Sequence, residues 1–337
     1  MSHVGKQSFV YDKPPLVASH VSIVGPKEGQ GPLRDWFDIC LEDDLLGQKS
    51  WEKAESEMLR RCAMETIAKA GMTESQTNAF MAGDLNDQII SSGFCARELS
   101  VPFLGLYGAC STFVEGITIG SALISAGMLD SAVCGASSHF CTAERQFRFP
   151  LELGTQRPPS AQWTATAAGC VMLTGDQSAS GIRVTAGTLG RVIDYKIKVA
   201  NHMGAAMAPA VRHTLNAHFE DTGREPDYYD LIVTGDLGWI GRDILLELMD
   251  ESGRHVDPDK LVDCGASLYY AEQDPHAGGS GCGCVASVST SWIMKRMERG
   301  EIKKALLVGS GAMLSPTSGM QGESIPSIAY AAGLEMM

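Results

Sequence analysis

Cys110 is the residue best placed to do chemistry in this sequence. It follows a turn of small residues, Gly108 and Ala109, and precedes Ser111, Thr112 and a long apolar run. That spacing puts it where a strand ends and a helix begins. Unpaired backbone N–H groups and the positive end of the helix dipole favour a thiolate there. Inert packing, the usual fate of a free cysteine, is the competing reading. Two carboxylates have surroundings like one another: Asp84 in Gly83-Asp84-Leu85 and Asp236 in Gly235-Asp236-Leu237. Each follows an apolar run and precedes a helix, so each is read first as a helix cap and second as an oxygen donor to a hard cation. His202 lies against Met203, Gly204, Ala205 and Ala206, which makes it a candidate for a cleft wall. His276 opens a Gly-rich stretch ending in Cys282-Gly283-Cys284. Neither that stretch nor Cys134 with His139 and Cys141 has the spacing of a tetrahedral zinc set, so no metal is assigned. Asp35, Asp38, Glu42, Asp43 and Asp44 gather in one region. They read as a solvated loop or helix end, and the EF-hand spacing is absent.

These residues need elements to hold them. After Cys110 comes a helix with almost no polar face: Phe113, Val114, Ile117, Ile119, Ala122, Leu123 and Ile124 are spread around it. A helix apolar on all sides belongs in the middle of a large protein. Before it the patterns predict a strand at 21–25, a helix over 51–70 stopped by Gly71, a strand at 79–82, a further helix start, and a strand at 101–106. A strand at 132–134 follows it. The order β-α-β-α-β argues for a parallel sheet with helices on its faces. The second half repeats this grammar. Residues 231–237 echo 80–85, and 299–310, a Gly stop followed by an apolar strand ending in Gly309-Ser310, echo 126–135. Two pairs in the same order predict an internal duplication, with halves 1–178 and 179–337, a boundary near 175–181, and an insertion around 250–270 in the second half. The active cleft is expected between the halves.

At 337 residues, 44% hydrophobic and 20% charged, the chain has the composition of an ordinary globular protein. A net charge of −13 argues against nucleic acid or an anionic membrane surface as the main partner. The ten cysteines do not form a secreted disulfide framework. With no signal peptide and no apolar run of the roughly 18 residues needed to span a bilayer, the expected setting is a reducing compartment.

With these residues on the page, the chain resembles the thiolase and β-ketoacyl synthase superfamily: an Ala-Cys-Ser turn enters a buried helix, and two β-α-β-α-β halves surround it. Over essentially its whole length it is similar to the stage V sporulation protein AD family within that superfamily. The resemblance rests on segments 107–113 (YGACSTF), 132–139 (AVCGASSH), 201–207 (NHMGAAM) and 234–238 (TGDLG). It implies an α/β, thiolase-like fold with duplicated halves in a five-layered α-β-α-β-α arrangement, and a homodimer. It implies binding of dipicolinic acid (pyridine-2,6-dicarboxylate), free or as its calcium chelate, in support of transport into the forespore and release on germination. The partners implied are membrane proteins of the same sporulation operon, with this protein soluble and held peripherally at the spore inner membrane. No cofactor is implied.

The superfamily's condensing enzymes pair the cysteine with a second-half His or Asn and a further His that stabilise an oxyanion and manage protons. Here the first such position reads Asp236. The other falls near Gly279, with His276 three residues earlier. A carboxylate is an acceptor and does not stabilise an oxyanion, so the resemblance favours a binding protein over an enzyme. The alternatives are a thioester-dependent acyltransferase or condensing enzyme using Cys110, and a scaffold of a membrane complex with no ligand. A flat dianion needs cations, backbone N–H groups and apolar walls. The expected ligand-binding set is therefore Cys110, Ser111 at the helix start, Arg191, Lys196, Lys198, His202, Asp236 and His276, with Arg145, Arg148 and Arg157 flanking a Pro-rich loop. A calcium chelate would lower the charge demand and bring in Asp84 and Asp236 as oxygen donors.

Overall fold

The computed structural model describes residues 2–148 and 156–337, without the side chain of Arg148. Two sheets carry the fold, and each has the same order. In the first half the strands run Phe103–Gly105, Ala79–Gly83, Ser131–Ser138, Ala167–Thr174 and Leu16–Val24. In the second they run Leu261–Asp263, Leu231–Thr234, Lys304–Ala312, Ser327–Met336 and Ile182–Thr188. A single bridging pair, Arg183 opposite Leu16, joins the two. Directions match as well. The first three strands of each set are mutually parallel, and the last two run antiparallel to their neighbours. The expected parallel sheets are thus mixed. The antiparallel strands come from the ends of each half, and among them is the strand expected at 21–25.

The duplication is real, but the extra length sits later than expected. From the edge strand to the central helix the first half needs only the stretch from Gly105 to Thr112, whereas the second runs from Asp263 to Cys282. Helix Cys264–Ser267 and strand Gly279–Ser280 lie in that added segment.

The layers follow from where apolar surface falls. Helix Trp51–Lys69 buries Ala54, Met58, Leu59, Cys62, Ala63 and Ile67 against the outer face of the first sheet. Ser50 caps it by accepting from the Lys53 N–H at 3.4 Å. Helices Met203–Thr222 and Gly238–Glu251 cover the outer face of the second sheet. Between the sheets lie Thr112–Ser125 and Cys282–Val288. Thr112–Ser125 touches both sheets, as its lack of a polar face requires. Its body is thin at Gly120, where a β-carbon would come 2.9 Å from the Cys134 sulfur.

Candidate functional site

Cys110 sits one residue before the N-cap of the central helix, and the turn that presents it is strained. Ala109 holds φ at 51°, a region that side chains rarely adopt. Local hydrogen bonds fix the turn: Ser111 Oγ donates to Gly108 O at 2.6 Å, and Thr112 Oγ1 donates to Ala109 O at 2.8 Å. Strand Lys304–Ala312 then closes over it. A β-carbon on Gly311 would lie 2.1 Å from Gly108 O, so only glycine allows this approach. Ser111 is fully buried. The helix start expected to be an open anion site is covered by its own fold, and Ser111 is spent on the turn.

The expected thiolate is also corrected. Burial raises the Cys110 thiol well above its ordinary value, and the neighbouring Asp236 and Cys282 add to the shift. The dipole does not offset the burial of the thiol beside an acid. Asp236 faces the thiol from the end of strand Leu231–Thr234. Its Oδ2 accepts from the Gly281 N–H at 2.8 Å and from Ser280 Oγ at 3.1 Å, and its Oδ1 accepts from Ser310 Oγ at 3.1 Å. Burial nonetheless raises the Asp236 carboxyl, against the lowering effect of these donors. A raised carboxyl can carry a proton, so the sequence argument that Asp236 is only an acceptor is too narrow. Chemically, burial favours the protonated thiol, and the group that faces it is a buried carboxyl.

Asp236 does not cap the helix that follows it. Asp263 does so from the neighbouring strand: its Oδ2 accepts from the Leu237 N–H and its Oδ1 from the Gly238 N–H, both at 2.9 Å. Asp84 behaves as expected of a cap, accepting from the Ser92 N–H at 2.7 Å in helix Ile90–Glu98 and from the Asn86 N–H at 2.9 Å. Both oxygens of each aspartate already accept at least one hydrogen bond. Among the described residues, no three His, Cys, Asp or Glu side chains come together as a metal set.

The other expected residues scatter. His202 is exposed and lines a pocket of about 190 Å³ with Ser160, Gln162, Gly204, Leu237 and Ala277. This pocket lies behind the Asp236 loop, because Gln162 Nε2 donates to Asp236 O at 2.7 Å. His276 stands nearby but points away: Nδ1 is 2.7 Å from Pro158 O and Nε2 is 3.0 Å from Asp274. The cations do not gather there. Arg191 is exposed, Lys196 pairs with Asp194 at 2.7 Å, and Lys198 donates to Gly322 O at 2.7 Å. Their segment packs by Ile193 and Ile197 on the second half's outer cluster. Arg145 pairs with Glu52, and the side chain of Arg148 lies outside the described residues. Arg157 pairs with Asp274 at 3.7 Å and stands 4.7 Å from the ring centre of Trp163.

Three contributors were missed. Lys27 lies 3.7 Å over the same Trp163 ring, whose stacking partner is Phe140 at 3.9 Å. Lys27 and Arg157 both serve the neighbouring loop as well: Lys27 Nζ donates to Gln273 O at 2.6 Å, and Arg157 donates to Asp274 O at 2.5 Å. Glu55 is buried in helix Trp51–Lys69 and accepts from Thr142 Oγ1 at 2.8 Å, Asn86 Nδ2 at 3.0 Å and Ser137 Oγ at 3.2 Å. Burial first, and then Asp84, raises it above the carboxylate range. Asp263 is the third. The spacing of Glu55 with Met58, Leu59 and Cys62 on the buried face of its helix was the one signal in the sequence. Lys27 and Asp263 carried none.

A cysteine at a strained turn between two duplicated sheets defines a thiolase-like protein, and solved structures agree. The cerulenin-bound OleA of Xanthomonas campestris superposes with a TM-score of 0.62, covering 96% of this chain and 98% of that one at 17% identity. The 3-oxoacyl-(acyl-carrier-protein) synthase III of Aquifex aeolicus VF5 gives 0.54 over 94% and 99% at 10% identity. At such identities the likeness is one of fold. The family is narrower: the pattern of stage V sporulation protein AD matches residues 5–335. The stage V sporulation protein AD of Bacillus subtilis (strain 168) is 41% identical over 330 residues, 98% of this chain and 97% of that protein. The chain belongs to the stage V sporulation protein AD family.

Proposed function

We propose that this protein binds dipicolinic acid, free or as its calcium chelate, without turning it over, in support of transport into the forespore and release on germination. The observation that carries the binding reading is the pairing of Cys110 with Asp236. Burial and Asp236 both hold the Cys110 proton, which disfavours the thiolate that a nucleophile needs. Family membership supports the sporulation role. The pocket beside Asp236 supports a small flat ligand: His202 offers a hydrogen bond, and Leu237, Ile240 and Ala277 offer walls.

The partners we propose are membrane proteins of the same operon, with this chain peripheral at the spore inner membrane. No helix among the described residues is long and apolar enough to cross a membrane. A homodimer is supported by edge strand Phe103–Gly105, which pairs on one side only and exposes Leu104. A second reading, thioester chemistry at Cys110, draws on the strained Ala109 turn.

Calorimetric titration with dipicolinate, with and without calcium, tests the proposal. Pyridine-3,5-dicarboxylate is the control. Saturable heat from the 2,6-isomer alone, reduced at least tenfold in affinity by His202→Ala and untouched by Lys196→Ala, is expected. Absence of heat in both conditions sinks the binding reading. An acyl-thioester that labels Cys110 would favour the second.

A further inference from the structure

Far from Cys110 in sequence, two carboxyl groups converge over a glycine. Glu28 lies in the short helix Glu28–Gln30 and is 1% exposed. Its Oε1 accepts from the Tyr269 hydroxyl and from the Thr166 N–H at 3.2 Å. Its Oε2 is buried and has no hydrogen-bond partner among the described residues. That oxygen aims at the open side of Gly25, where a β-carbon would stand 2.8 Å from Glu28 Oε2, 3.0 Å from Asp44 Oδ1 and 3.0 Å from Thr166 Cβ. Asp44 is the one member of the acidic group at 35–44 that turns this way. Asp38 instead pairs with Lys295 at 2.9 Å. Gly25 and Glu28 are buried and Asp44 is exposed, so the hollow lies just under the surface. A buried carboxyl oxygen without a partner is costly, and a second carboxyl aimed at the same hollow makes it worse unless a cation lies between them.

We propose that Glu28 Oε2 and Asp44 Oδ1 bind a divalent cation of the calcium or magnesium class over Gly25. An all-oxygen donor set selects hard cations. With two carboxylates from the protein, such an ion keeps part of its water. Gly25 is required there because any side chain would fill the hollow. The site is separate from the dipicolinate pocket and does not depend on it.

Full-length protein stripped with a chelator is titrated with calcium chloride, then with magnesium chloride, in the absence of dipicolinate. Heat and melting temperature are read for the wild type, Glu28→Gln, Asp44→Asn and Gly25→Ala. One saturable site that raises the melting temperature, weakened at least tenfold in Glu28→Gln and Asp44→Asn, is expected. Terbium should replace calcium and emit on excitation of Tyr269, with the emission lost in Tyr269→Phe. Asp44 is at the surface, so Asp44→Asn is read even if Glu28→Gln fails to fold. No saturable binding, or binding equal in Asp44→Asn and wild type, overturns the proposal. The two carboxyls would then share a proton instead.

Discussion

Asp84 and Asp236 follow equivalent strands in the two halves and turn in opposite directions. Asp84 reaches forward to the Ser92 N–H of its own following helix, whereas Asp236 reaches across to Ser280, Gly281 and Ser310 beside Cys110. The difference lies in what surrounds each. Asp263 already satisfies the N–H groups of Leu237 and Gly238, so Asp236 is free to serve the centre of the molecule.

Cys110 should therefore be slow to react. Burial and Asp236 both hold its proton, and the thiolate is the reactive form. Alkylation followed by peptide mass spectrometry at pH 8 should label exposed Cys40 at least about tenfold faster than Cys110. Asp236→Asn removes the charge and leaves the shape, so labelling of Cys110 should rise several-fold. A rate unchanged by Asp236→Asn would show that Asp236 does not govern the thiol.

Glu55 makes stability depend on pH. Its carboxyl keeps a proton in the folded chain at pH values where an unfolded glutamate, near 4.3, has lost it. The folded state then binds more protons than the unfolded one, so stability falls as pH rises toward the raised value. Buried His218, lowered to about 3, acts in the opposite sense, but only below about 6.5. Glu28, raised to about 7, and Asp263, raised to about 6, add to the decline at lower pH. Between pH 7 and 8, below the range of free thiols, urea midpoints should fall in the wild type and flatten in Glu55→Gln. An equal decline in both would assign the effect elsewhere.

Asp263 holds the second half's outer helix to the centre. One carboxylate accepts from the N–H groups of Leu237, Gly238 and Ala266 and from Thr234 Oγ1, the last at 2.8 Å. Asp263→Ala leaves these donors buried without a partner and should cost about 2–4 kcal/mol in chemical unfolding. A loss under about 0.5 kcal/mol, the size of an ordinary surface change, would mean that the donors find other acceptors.

Gly204 and Gly241 set the crossing of helices Met203–Thr222 and Gly238–Glu251. A β-carbon on Gly204 would lie 2.4 Å from Leu237 O and 2.9 Å from Gly241 N. These are backbone atoms that cannot swing aside. Gly204→Ala should destabilise by about 1–3 kcal/mol and shift Leu237, which lines the His202 pocket. Ligand affinity should fall with it. Stability and affinity both intact would sink the close-crossing account.

Much of the fold was legible because it depends on local pattern. The apolar circumference of Thr112–Ser125, the Gly71 stop after Trp51–Lys69 and the repeated strand-Gly-Asp-Leu units each follow from residue type and spacing, and together they specify a duplicated body with Cys110 at its centre. Charge partners were not legible. Lys27 reaches Trp163, Glu28 meets Tyr269, and Asp263 serves Leu237 across distances in sequence that no period encodes. The ionisation of Cys110 belongs with them. Its turn predicts a thiolate, but the charge of a buried group is set by what packs around it, and here that is an acid and apolar surface. Local spacing determined where the thiol stands, and only the tertiary structure decided that it keeps its proton.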